Sequence, residues 1–372
     1  MVETRSKDQK HDEGEKKHAA AAGDKHQTEH ESSDAKRPKT ERQPTIEESF
    51  GKDGTNDKPS EEKGDEPKDE EDGEKSKPDT SKSESAVEPA EETDVPSNIL
   101  EKGIIYFFMR GRVGIDNPSS VDDIARSYIL LRPIEKDAKL GEGPIGDAGN
   151  TRLLMLPKKV LPVSGKDRFM VFVEKSGASF ADLKEEFLSS SDYETKTAGT
   201  RHTPAATPVG EGIYAITTTG RESHLAYMLT LPEKPEPAQE ELGLREKGSF
   251  IISTKNPQYP GPANARLPEG PKFSKEILDE FRSLRWMPSK PEHLDYVNCQ
   301  MLLVGESSGL QKALQPQKQD QKEGKEEPEE ALEHLEEEDL ERMRDLPGDQ
   351  SASIYADLQV HAKDYPKLQT TF

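Results

Sequence analysis

Between positions 97 and 306 the chain is built of short apolar runs separated by polar segments rich in Gly and Pro. Ile104-Ile105-Tyr106-Phe107-Phe108-Met109 is apolar at every position, which predicts a strand buried on both faces. Ser127–Arg132, Arg152–Leu156, Arg168–Val173, Ser249–Thr254 and Cys299–Val304 predict further strands, being too short for helices and mostly β-branched or aromatic. Ile213–Thr219 and His224–Leu231 predict a hairpin turned at Thr219-Gly220-Arg221-Glu222. Two stretches have a helical period: Ser179–Leu188, with Phe180, Leu183, Phe187 and Leu188 on one face, and Ser274–Arg285, with Ile277, Leu278, Phe281 and Leu284. The segments 139–150, 196–212 and 256–271 read as loops. Strand follows strand without βαβ alternation. The expected fold is therefore α+β, a mainly antiparallel curled sheet or partial barrel with about two helices.

The pattern changes on both sides of this middle. Residues 1–96 show neither a helical nor a strand period and predict a disordered arm. Residues 307–372 predict an acidic linker with short amphipathic helices. From Glu329 to Leu346, Leu332, Leu335, Leu340, Met343 and Leu346 form a narrow stripe on an otherwise acidic helix; Ile354, Leu358 and His361 repeat the idea within Ser353–Tyr365. Helices this short need a surface to lie on, and the tethered middle domain is the expected one.

Composition sharpens the boundaries. Of 21 Phe, Tyr and Trp, 17 lie between 97 and 310, so that is where a core can form. The net charge of −22 is carried mainly by the arms, −12 on residues 1–96 and −8 on 311–372. Acidic arms repel phosphate backbones, so nucleic acid is not an expected ligand. No apolar run approaches the roughly 18 residues of a membrane span, and no membrane association is expected. A single cysteine, Cys299, excludes an internal disulfide and Cys-rich zinc sites.

Candidate chemistry is sparse. Gly141-Glu142-Gly143-Pro144-Ile145-Gly146 has G-x-G-x-x-G spacing, but Pro144 lacks a backbone donor, Glu142 repels phosphate, and a strand follows, so a plain loop is expected. Cys299 opens an apolar run and reads as a buried structural thiol rather than a partner of His202, His224 or His293. Arg110, Arg112, Arg126, Arg132, Lys158 and Lys159 form either a basic patch or a set of local ion pairs. Asn256-Pro257-Gln258-Tyr259 reads as a turn. No catalytic residue, metal ligand or cofactor site is nominated.

The N-terminal arm carries the clearest linear signals. Lys36-Arg37-Pro38-Lys39 is an exposed basic cluster of the kind that import receptors bind, which predicts a nuclear protein, with the cytoplasm as the alternative. In the peptide that follows, Gln43, Ile46 and Phe50 resemble the motif that docks on the replication sliding clamp; Ser49 stands where that motif has its first aromatic residue. Three longer runs, Gly103–Val113, Gly261–Pro268 and Lys363–Gln369, resemble a family of fungal proteins often labelled "BTB domain transcription factor". That label implies a helix-rich dimerisation unit, whereas the residue periodicities imply a sheet. The expected function is a nuclear protein-interaction module with docking motifs in its arms and no catalytic activity evident. The alternative is a small-molecule-binding sensor or enzyme with a pocket in the curled sheet.

Overall fold

The structure, a computed structural model, describes residues 87–88, 95–197, 199–261, 267–344 and 350–372. Thirteen strands and six α-helices follow one another among these residues. The strands are β1 (Val87–Glu88), β2 (Ile99–Gly111), β3 (Ile124–Ile134), β4 (Lys139–Leu140), β5 (Thr151–Leu156), β6 (Arg168–Ala178), β7 (Ser191–Thr195), β8 (Gly199–Thr203), β9 (Ala206–Thr218), β10 (Ser223–Leu231), β11 (Lys247–Lys255), β12 (Trp286–Pro288) and β13 (Gln300–Gly305). The helices are α1 (Phe180–Leu183), α2 (Pro237–Leu242), α3 (Lys275–Glu280), α4 (Lys318–Glu323), α5 (Pro328–Arg344) and α6 (Gln350–Asp357). None of them is long and apolar enough to cross a membrane.

The principal sheet is antiparallel and curls into a ring. Its order is β10-β9-β2-β3-β5-β6-β13-β11, and β11 pairs with β10 as well, so the pairings return to their starting strand. β12 continues the β11 edge past the end of β10. Two side-chain layers follow from the period of two along each strand. One points inward: Ile105, Phe107 and Met109 from β2 meet Ile129, Leu154, Val171, Tyr214, Tyr227, Phe250 and Leu303 from the other strands. The opposite layer, with Ile104, Tyr106 and Phe108 from β2, belongs to a second apolar cluster outside the ring. β2 is thus buried on both faces, which explains its uninterrupted apolar run.

Two glycines let the strands approach this closely. A Cβ on Gly212 would lie 2.0 Å from the Met228 carbonyl oxygen, and one on Gly103 would lie 2.1 Å from that of Arg132. Such contacts only a residue without a Cβ can make.

Several elements depart from expectation. The first helix opens as expected, with a capping box between Ser179 and Asp182, but widens into a π-helical turn over Lys184–Leu188. That turn seats Phe187 edge-on to Phe108 and Tyr128. The second helix stops at Glu280 rather than Arg285, and Leu284 is exposed. Arg282 takes a φ of 50°, which turns the chain so that the Arg285 carbonyl accepts from Asn256 N and β12 can pair with β11. The expected loop 196–212 instead holds β8, the second strand of a β7–β8 hairpin, and the first half of β9. Pro208 hid that strand from the sequence reading; it sits at a register shift opposite Phe107 and Phe108, where a missing N–H is tolerated.

The segment beyond Gly305 wraps the outside of the ring. Leu310, Ala313 and Leu314, then Leu332 and Leu335 of α5, then Ile354, Tyr355 and Leu358 complete the outer apolar cluster.

Candidate functional site

Helix α5 lies against β9, β10 and β4. Its buried face runs through Leu332, Leu335, Asp339 and Arg342, a spacing that keeps one side of a helix toward the sheet. Leu340 and Met343, also on the expected stripe, are only half-buried, and Leu346 lies outside the described residues. Two of the four inward positions are therefore charged, and both find partners.

Arg342 is the centre of a fully buried ionic cluster. Its guanidinium holds Asp357 with two prongs, at 2.8 and 2.9 Å, donates to Asp339 at 2.8 Å, and reaches Glu211 of β9 at 3.0 Å. Tyr106 donates to Asp357 at 2.7 Å and Thr230 to Asp339 at 2.6 Å. Arg132 donates to the Asp357 carbonyl at 2.9 Å and to the carbonyls of Ile145 and Gly146 at 3.1 and 2.9 Å. The Gly-rich loop is thereby folded over an arginine, and Ile145 N donates to Asp357.

The carboxyls of this cluster respond differently to burial and to the guanidinium charge. Burial pushes the Glu211 carboxyl well above the usual carboxylate range, reinforced by Asp357 and Asp339, and its Oε2 has no hydrogen-bond partner. Burial opposes ionisation of Asp357 too, but Arg342 and the Tyr106 hydroxyl hold it below its ordinary value. Arg342 and Arg132, with Asp357, Asp339 and Glu211, together pin α5 and α6 to the ring.

Beside this anchor lies a cleft of about 1020 Å³. Its apolar floor is formed by the half-buried Val95 and Ala331, beside the buried Pro96, Ile99 and Leu335. One wall is the stripe Glu330, His334, Glu337 and Glu341 along α5; the facing wall holds Lys102, Lys136 and Lys139. Glu338 and Glu341 are shared with a further hollow of about 450 Å³ that continues past Gly141 and Glu142 to Arg344. Burial lowers the pKa of the half-buried Lys102, against the pull of Glu338, Glu326 and Asp137. Glu330, Glu337 and Glu341 are exposed and form no ion pair among the described residues.

The ring interior also holds charge. Glu101 accepts from both Arg152 and Tyr214 at 2.8 and 2.7 Å, and Arg152 reaches Asp295 at 2.8 Å. The rest of the interior is filled by the apolar layer described above.

The remaining sequence candidates are scattered. Cys299 is buried in that interior and its thiol is pushed up to about 12 by burial, which makes it a poor nucleophile. His224 pairs with Glu306 at 2.7 Å on the outer side, and the exposed His202 bridges Asp192 and Asp116 at 2.6 and 3.0 Å. Glu280, Glu292 and His293 stand close enough for a cation, yet the Lys290 ammonium already lies 2.6 and 3.3 Å from the two carboxylates. Of the six basic candidates, Arg112, Arg126 and Lys158 are exposed, and the other three are buried or held by local partners. Arg132 is buried, Arg110 packs over Tyr128 and Phe187, and Lys159 pairs with Asp122. Asn256 forms the expected turn, accepting from Gln258 N at 3.0 Å. Lys36, Arg37, Pro38 and Lys39, with Gln43, Ile46 and Phe50, lie outside the described residues. Comparison with protein-family models, with curated proteins and with solved structures gives no match.

Proposed function

We propose that this chain is a nuclear protein-interaction module that binds its partner in the cleft along α5. One observation carries the reading: the ring interior is occupied by its own side chains, while the concave surface lies on the outside, between α5 and the start of β2. A catalytic pocket is expected to bring polar groups together in an enclosed apolar hollow. An open cleft with an apolar floor and charged walls suits a peptide or a protein surface instead. The basic cluster Lys36–Lys39 supplies the nuclear address through an import receptor, and the Gln43–Phe50 peptide offers a second docking element for the sliding clamp.

Proximity labelling by the full chain in cells tests both halves. The expected result is a nuclear set of labelled proteins that shrinks when Ala331→Trp fills the cleft and turns cytosolic when Lys36, Arg37 and Lys39 become Ala. A set that is cytosolic from the start overturns the nuclear assignment, and one unchanged by Ala331→Trp overturns the cleft.

A further inference from the structure

Resting on that reading, we infer that the partner segment seated in the cleft is a Lys- and Arg-rich peptide of another protein. The inference begins with what each wall leaves unmatched. Lys102 faces Glu338, Glu326 and Asp137, so its charge is answered from within the cleft. Glu326 also accepts His334 Nδ1 at 2.6 Å, and Glu338 accepts Leu140 N at 2.9 Å. Glu330, whose carboxylate accepts only the Glu327 N–H at 3.3 Å, remains exposed with Glu337 and Glu341 on one side of α5, all three without an ion-pair partner among the described residues. Their spacing of seven and then four residues places them in a row roughly 16 Å long at 1.5 Å per residue.

The floor selects within the class of cations. Val95 and Ala331, both only half-buried, are the apolar lining side chains that leave surface open on this floor. Lysine and arginine lay their methylene stems on apolar surface and keep the charged head at its edge. A basic peptide can cover this floor and present its cations to the row of glutamates. A small inorganic cation would leave the floor bare, and an acidic peptide would meet the row with like charge. Lys136 and Lys139, exposed on the far rim, repel the same cations and so hold the peptide to the α5 side.

The test uses the full chain and three labelled twelve-residue peptides carrying a photo-crosslinker: one of Lys, Arg, Ser and Gly, its counterpart with Glu in place of the basic residues, and a neutral amphipathic one. Binding is read by fluorescence anisotropy and the crosslinked residues by mass spectrometry. The basic peptide is expected to crosslink to α5 and the start of β2. Its affinity should fall at least tenfold in Glu330→Gln/Glu337→Gln/Glu341→Gln and less than twofold in Glu233→Gln/Glu240→Gln/Glu241→Gln, a control that removes equal charge elsewhere. Equal losses in both triple variants mean attraction by net charge alone and overturn the inference. A neutral or acidic peptide crosslinked at the cleft in place of the basic one also overturns it while leaving the interaction reading intact. Failure of all three peptides to bind overturns both. Tightening of the basic peptide when Lys36, Arg37 and Lys39 become Ala would make the chain's own cluster the occupant and overturn the assignment to another protein.

Discussion

Arg342 and Asp357 stand 15 residues apart in the chain and meet as a two-pronged ion pair, 2.8 and 2.9 Å long, with both side chains sealed from solvent. The pair joins the last turn of α5 to the last residue of α6, and Glu211 ties both to β9. Arg342→Met keeps the side-chain bulk but strands two carboxylates in the protein interior, so a loss of about 3–5 kcal/mol in unfolding free energy is expected. Asp357→Asn should cost a comparable amount, and the double variant much less than the sum. Denaturant titration of the four proteins checks this; additive losses would mean that the two residues do not act as a unit.

Glu211 gives the cluster a pH dependence of known sign. Its folded pKa is raised, chiefly by burial, above the ordinary value of about 4.3 that the unfolded chain shows. Between those two values the folded state holds a proton that the unfolded state has lost. Stability from this group is therefore complete below the unfolded pKa and declines as pH rises, by at most about 1.4 kcal/mol per unit. Glu211→Gln removes the decline. The variant should match the parent near pH 4.5 and exceed it as pH rises above that value, as read by denaturation midpoints over a pH series. A constant difference between the two proteins would show that Glu211 does not carry the proton.

β2 was legible because burial on both faces leaves no polar positions over Ile104–Met109. Where the ring admits a proline or a charge, the reading faltered: Pro208 and Glu211 made half of β9 look like loop. The expected domain end at 306 follows the last predicted strand, Cys299–Val304, and Tyr355 and Leu358 of the acidic tail pack in the same outer cluster as Tyr106. The ionic cluster stayed hidden because its members are far apart in sequence, Glu211 and Arg342 by 131 residues. Nothing local separates a buried arginine from a solvated one. One signal was present. Asp339 and Arg342 continue the Leu332–Leu335 face at helical spacing, which leads toward the sheet rather than to Leu340 and Met343.

The last expectation concerns how α5 stays on the ring. The helix is 17 residues long and largely acidic, too polar and too short to persist by itself in water. Packing must hold it, and Leu335, 2% exposed, lies at the centre of that packing. Leu335→Ala removes buried methyl groups and leaves a hollow under the helix, at a cost of about 2–5 kcal/mol. That cost falls on an outer strap, whereas β9 keeps its pairing with β2 and β10. Hydrogen exchange should therefore find the amides of Glu333–Arg342 protected in the parent chain and exchanging far faster in Leu335→Ala, with those of Ile213–Thr217 nearly unchanged. Equal acceleration in both segments would show that strap and ring open together. Free exchange of α5 in the parent chain would mean that the helix does not rest on the ring at all.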